Sequence, residues 1–99
     1  MGKLVDHIEV SVKFLTTKEG GRKHSVRSGY KSNIHYDKIE GTVSLDFDTD
    51  EWVPLGEEII ATGSFLCLDL HKDKIFDGME FELREGYRVV ANGKITKVL

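Results

Sequence analysis

The sequence predicts an all-β protein, a small closed antiparallel β-barrel of about six strands. Two observations favour this class. Apolar and polar residues alternate with a period of two in several segments, and no long segment shows the period of a helix. Turn residues separate these segments at intervals of about 8–12 residues, which is typical of small barrels and sandwiches.

The first segment shows the pattern most clearly. Ile8, Val10 and Val12 would share one face of a strand, with polar residues between them. The predicted strands, in chain order, are 7–15, 33–36, 39–47, 57–70, 79–84 and 87–99. Segment 33–36 is short enough for an edge strand, and segment 57–70 is the longest candidate.

Turn chemistry separates the strands. Gly20 and Gly21 follow the first strand, and Pro54 and Gly56 precede the long one. Glu85 and Gly86 lie between two strand-like runs and predict a tight hairpin. Gly93 falls inside the last strand, which indicates a bulge or a close approach by another backbone segment.

The bulk properties fit one domain over residues 1–99. We expect a cytoplasmic protein, because the sequence has no secretory leader and no apolar run that could span a membrane. The lone Cys67 allows no internal disulfide. It falls within the predicted long strand, so we expect a buried, reduced thiol.

The sequence gives little support for catalysis or for metal binding. The four histidines are not spaced as metal ligands on one strand or helix. Ser25 beside His24 lacks the surroundings of a nucleophile, and the aspartates of segment 46–51 are typical of a solvated turn. We therefore predict a non-enzymatic protein with no metal and no cofactor.

The charges are unevenly distributed, although the net charge is only −3. Segment 18–38 contains six Lys or Arg residues, and segment 40–58 contains seven acids and no Lys or Arg. This pattern predicts a basic pole and an acidic pole. A basic pole could contact phosphates, although a solvated mixed surface explains the same pattern.

Three motifs occur in a fixed order. They are Lys18-Glu19-Gly20-Gly21-Arg22 followed by Gly29-Tyr30, then Pro54-Leu55-Gly56-Glu57, and finally the run from Asp77 to Val90 with the ending Lys97-Val98-Leu99. Together they resemble the third, C-terminal domain of elongation factor Tu. That family has a six-stranded antiparallel barrel, so the resemblance implies the same fold. The chain contains no Gly-x-x-x-x-Gly-Lys-Ser/Thr loop, and we expect a free-standing domain that does not bind GTP.

The resemblance also implies a contact surface for the T-stem of tRNA. Carried over by position, the nucleic-acid-binding residues would be Arg22, Lys23, Lys31, Asn33, Arg84, Glu85 and Gly86. The chain departs from the family at Ser32, where the family has proline, and at Glu40, where a threonine contact becomes an acid. A carboxylate at Glu40 would repel phosphate.

Two functions remain open. The first is a protein-binding module linked to translation, which would compete with the elongation factor for a partner or neutralise a toxin that targets it. Trp52 and Val53 are its candidate contacts, either as an exposed anchor or with the tryptophan capping the open end of the barrel. The second is an RNA-binding module for the acceptor and T-stem arm of tRNA, with salt-sensitive affinity.

Overall fold

A computed structural model describes residues 7–99. Its strands are β1 (Ile8–Phe14), β2 (Tyr30–Tyr36), β3 (Ile39–Phe47), β4 (Glu58–Phe65), β5 (Glu80–Glu85) and β6 (Arg88–Val98). Short 3-10 helices cover Thr17–Glu19 and Leu68–Leu70. The strands close into an antiparallel barrel in the order β1-β4-β3-β2-β5-β6. The predicted fold class is therefore confirmed.

Apolar side chains at alternate positions along each strand fill the interior of the barrel. In β1, Ile8, Val10, Val12 and Phe14 are each 0% exposed, as their two-residue spacing predicts. Other strands supply the remaining buried apolar side chains, among them Ile34, Val43, Leu45, Phe47, Ala61, Phe65, Phe81, Leu83, Val90, Ala91 and Ile95. This single apolar cluster is the main source of stability, because burial of apolar surface dominates folding.

Strand β2 differs from its prediction. It begins at Tyr30, earlier than segment 33–36, and pairs with β3 along its whole length. It also pairs with β5 through Asn33, Ile34 and His35, so it is not an edge strand. The short pairing with β5 is nonetheless what closes the barrel.

The prediction for segment 57–70 was wrong at its C-terminal end. Strand β4 ends at Phe65, and Leu66, Cys67 and Leu70 are exposed beyond it. Alternating apolar residues continue past the strand, but the chain turns across the end of the barrel there. The next side chain that is buried at this end of the barrel is that of His71, with only 2% of its surface exposed.

The longest strand is β6, with eleven residues. It is irregular on both sides, because its register shifts against β1 and again against β5. Such bulges bend a strand and help a sheet to close. Gly93 lies opposite Phe81, and a Cβ there would collide with the phenyl ring. Neither bulge falls at Gly93, and the close approach there comes from a side chain and not, as the sequence predicts, from the backbone.

Antiparallel pairing assigns the connections to two ends of the barrel. Segments 15–29, 48–57 and 86–87 lie at one end, here called the loop end. Segments 37–38 and 66–79 lie at the opposite end, here called the terminal end because residues 7 and 99 are also there. The sequence-predicted contact residues in loops all belong to the loop end.

Candidate interaction surface

Main-chain contacts hold the loop end together. Val26 and Val53 form an isolated antiparallel bridge, with N–H to carbonyl distances of 2.6 and 3.3 Å. The Ser28 hydroxyl accepts a hydrogen bond from the Phe47 N–H at 2.8 Å and donates to the Phe47 carbonyl at 3.0 Å. Loops 15–29 and 48–57 are therefore joined, and the side chains that they carry have defined positions.

Arg22 follows a tightly capped turn. Thr16 and Glu19 form a reciprocal capping box around the first 3-10 helix, and Gly20 ends it with a φ of 93°. Glycine suits this position because a left-handed backbone costs it nothing. The turn leaves the Arg22 side chain about three-quarters buried, with 23% exposed.

Three groups surround the Arg22 guanidinium. Its Nη1 donates to a carboxylate oxygen of Glu85, and its Nε donates to the His24 carbonyl at 3.1 Å. The Tyr30 ring lies 5.2 Å from the guanidinium carbon, within the range of a cation–π contact. The Arg22 guanidinium is therefore held by three groups of the same chain: the Glu85 carboxylate, the His24 carbonyl and the Tyr30 ring.

Tyr30 completes the cluster with Glu85. Its hydroxyl donates to the same carboxylate oxygen that Arg22 contacts. Burial raises the pKa of Tyr30 to about 12, and the hydrogen bond to Glu85 adds to the effect. The phenol remains protonated at neutral pH and keeps the carboxylate in place.

Arg84 is also engaged by a carboxylate. Glu82 lies two residues earlier in β5, so both side chains project from the outer face. The Glu82 carboxylate accepts hydrogen bonds from Arg84 Nη2 at 2.7 Å and from Nε at 3.2 Å. Asn33 is the Cα partner of Arg84 across the sheet and is exposed beside it.

Lys23 and Lys31 differ from the two arginines in having no carboxylate partner within the described residues. Both are exposed, and no ion pair to either is recorded among residues 7–99.

Gly86 opens the two-residue turn between β5 and β6 with a φ of 64°. A glycine at the first position of such a turn matches the usual hairpin geometry.

Trp52 and Val53 have opposite environments. Trp52 is 60% exposed, whereas Val53 is 2% exposed and packs in the core. Val53 is therefore a structural residue, and the sequence-based proposal that it is a surface contact was wrong. The guanidinium carbon of Arg27 lies 5.2 Å from the centre of the Trp52 ring.

Comparison with known families agrees with this architecture. Residues 2–99 match the family described as the elongation factor Tu C-terminal domain. The chain belongs to that family. Domains of this family are non-catalytic β-barrels that act as binding modules in translation, and essentially the whole of this chain matches the family pattern.

This elongation factor Tu C-terminal domain protein brings only some of the predicted RNA contacts together. Arg22 and Glu85 meet directly, and Asn33 lies beside Arg84. The Glu40 carboxylate lies 3.1 Å from Nε2 of His35, its Cα partner on β2. Carboxylates thus accompany both arginines that were predicted to meet phosphate, whereas Lys23 and Lys31 have no ion pair recorded among residues 7–99.

The two charged segments are not opposite poles. Arg27, from the basic segment, donates to the main-chain carbonyl of Asp50 at 3.0 Å, and its guanidinium lies over the Trp52 ring. The segments interleave at the loop end because the Val26–Val53 bridge joins them. The predicted separation into a basic and an acidic pole was wrong.

Two hollows lie away from the loops. A groove of about 950 Å³ crosses the outer faces of β1, β6, β5 and β2, and Lys13, Lys94, Glu80 and Glu82 line it together with Arg84. Its alternating charges suit a polar surface better than an apolar ligand. A smaller hollow of about 550 Å³ at the terminal end is lined by Tyr36, Ile39, Phe76 and Met79, with Asp37, Lys74 and Glu80 around it.

Residues 7–99 contain neither a metal site nor a membrane-spanning helix. No cluster of at least three His, Cys, Asp or Glu side chains has the arrangement needed to hold a metal ion. No helix in the same range is long and apolar enough to span a bilayer.

Sequence reasoning missed the roles of Tyr30, Glu82 and Arg27. Glu82 could have been found from its spacing, because residues i and i+2 share a strand face. The sequence shows Tyr30 only as part of the Gly29-Tyr30 motif. Arg27 could not be paired with Trp52 from sequence, since their contact needs the bridge between two loops.

Proposed function

We propose that this protein is a non-catalytic module that binds a protein partner in translation. One observation carries the proposal: the two arginines expected to bind phosphate are neutralised within the protein. Arg22 is paired with Glu85, and Arg84 is paired with Glu82. A phosphate would have to displace these carboxylates and then lie next to them.

Electrostatics argue in the same direction. Affinity for nucleic acid depends mainly on cations that are free to neutralise phosphates. A carboxylate within about 4 Å of a phosphate repels it by roughly 1–4 kcal/mol near a protein surface. Of the predicted basic contacts only Lys23 and Lys31 remain exposed without an ion pair within residues 7–99, and two lysines supply little of the required charge.

The loop end offers a better surface for a protein. Trp52 is exposed on a loop that the Val26–Val53 bridge holds in place. Tryptophan is among the residues that contribute most to protein–protein binding. A rigid loop also loses little conformational entropy when a partner binds.

Site-specific photocrosslinking tests the proposal directly. A benzophenone amino acid is placed at position 52, and in a matched control at position 76. Trp52 and Phe76 are 60% and 59% exposed but lie at opposite ends of the barrel. The proposal predicts a specific protein adduct from position 52 and none from position 76.

A tRNA titration tests the alternative function. Labelled tRNA is added to the protein at low and at moderate salt. We expect no saturable binding at moderate salt. Salt-sensitive binding that is lost in both Arg22→Ala and Arg84→Ala would replace the protein-binding proposal with the RNA-binding one.

A further inference from the structure

We propose that Trp52 and the exposed carboxylates beside it form a docking site for an arginine-rich segment of a partner protein. This inference rests on the proposed function, and it specifies the chemistry of the partner. Three features of the loop end support it: a fixed indole, an arginine already stacked on that indole, and carboxylates that lack a cation.

The indole is held in position by the main chain. Val26 and Val53 are bridged, and both point into the core with 2% exposure each. Because side chains alternate along an extended chain, the neighbours Arg27 and Trp52 point outward. The antiparallel register places these two residues opposite each other across the bridge.

Arg27 shows which group the indole accepts. Its guanidinium carbon lies 5.2 Å from the ring centre, a normal cation–π distance. Its Nη2 also donates to the Asp50 carbonyl at 3.0 Å. The pair is on the surface, and Trp52 remains 60% exposed, so a second guanidinium can reach the indole or exchange with Arg27.

The charge around Trp52 favours a cationic partner. Asp48, Asp50 and Glu51 are all exposed. Arg27 contacts the main-chain oxygen of Asp50, and no ion pair to these three carboxylates is recorded within the described residues 7–99. Arginine fits both parts of the surface, because its planar guanidinium stacks on aromatic rings and binds carboxylates with paired hydrogen bonds.

Tryptophan fluorescence gives a direct measurement, because Trp52 is the one tryptophan of the chain. The probe is a synthetic peptide of alternating arginine and glycine residues, and the control peptide carries glutamate in place of arginine. We expect a saturable change in emission with the arginine peptide that weakens as salt is raised. The absence of a response at low salt, or an equal response to the glutamate peptide, would overturn the inference.

Variants separate the two parts of the site. Asp50→Asn combined with Glu51→Gln should weaken binding of the arginine peptide. Asp69→Asn combined with Asp73→Asn, two exposed acids at the terminal end, should leave it unchanged. Equal affinity in both double variants would contradict the proposal.

Arg27 provides a test in the opposite direction. Arg27→Ala removes the competing cation, so the arginine peptide should bind about two- to fivefold more tightly. Arg27→Lys keeps a cation and should stay near the wild-type affinity. Weaker binding by Arg27→Ala, with an unchanged circular dichroism spectrum, would contradict the exchange on the indole.

Other outcomes are equally informative. If single-stranded oligouridine changes Trp52 emission and the arginine peptide does not, the surface binds nucleic acid and the inference fails. If position 52 crosslinks a partner but the arginine peptide has no effect, the proposed function stands and this inference fails. Absence of any crosslink from position 52 is a failure of the proposed function itself.

Discussion

The hydroxyl of Tyr36 is hydrogen-bonded to Nδ1 of His71, and this buried pair fastens the connection between β4 and β5 to the barrel. Tyr36 is the last residue of β2. The His71 ring also stacks on Phe65, with 4.5 Å between ring centres. It lies directly over Gly41, where a Cβ would collide with it. One imidazole therefore joins segment 66–79 to three strands.

Replacing Tyr36 by phenylalanine should destabilise the protein. The change keeps the ring but leaves Nδ1 of His71 buried without its partner. An unsatisfied buried polar group costs about 1–3 kcal/mol, so the free energy of unfolding should fall by that amount. Urea denaturation measures it, and Tyr87→Phe is the matched control because Tyr87 is fully exposed. Equal midpoints for the two variants would contradict the role given to the Tyr36 hydroxyl.

Acid should weaken the same contact. Burial, followed by the nearby positive charge of Lys74, lowers the pKa of His71 below its usual 6.5. The unfolded chain then binds a proton more readily than the folded one. This stabilisation is complete above about pH 6.5 and decreases as the pH falls towards the folded pKa.

The pH dependence can be isolated by substitution. The free energy of unfolding is measured between neutral and mildly acidic pH for the wild type, His71→Gln and His24→Gln. We expect His71→Gln to be less stable at neutral pH and to show a smaller decrease on acidification. His24 is exposed at the loop end, and its variant should follow the wild type. A wild-type slope in His71→Gln would show that another group is responsible.

Alternation of apolar residues was sufficient to predict the barrel. It located β1, β3, β5 and β6 because one face of each strand is buried and the other meets water. It failed after Phe65, since Leu66 and Leu70 continue the pattern without being buried. The chain turns at Leu66, and the next buried side chain at this end of the barrel is that of His71.

Motifs predicted candidate contact residues but not the partners of their side chains within the protein. The Gly-Gly-Arg turn and the Arg-Glu-Gly hairpin gave Arg22, Arg84 and Glu85. The pairing of Arg22 with Glu85 joins residues 63 positions apart, so it exists only once the barrel has closed. The burial of Val53 likewise could not be predicted from the sequence, because it depends on a bridge to Val26 in another loop.

Gly93 should tolerate no larger residue while Phe81 keeps its position. In Gly93→Ala the new methyl group would overlap the Phe81 ring, and overpacking of this kind typically costs about 1–3 kcal/mol. Thermal or urea denaturation measures the loss. Asn92→Ala, on the adjacent exposed position, should change stability much less.

A double variant identifies the cause of that loss. Phe81→Leu shortens the side chain that occupies the space over Gly93. Its destabilisation and that of Gly93→Ala should therefore be less than additive when the two are combined. Strict additivity would mean that the loss in Gly93→Ala comes from the backbone and not from the ring.

Glu85 should control the ionisation of Tyr30. Burial raises the pKa of Tyr30 to about 12, and the hydrogen bond that the phenol donates to the Glu85 carboxylate adds to the effect. Glu85→Gln removes the negative charge and should lower this pKa, whereas Arg22→Ala removes a stabilising cation and should raise it. Ultraviolet absorbance of tyrosinate, referenced to Tyr30→Phe, follows the titration, and circular dichroism restricts it to the range in which the barrel is folded. Shifts of the same sign in both variants would contradict the arrangement in which Arg22 and Tyr30 share one carboxylate, because removing the cation and removing the anion must act in opposite directions.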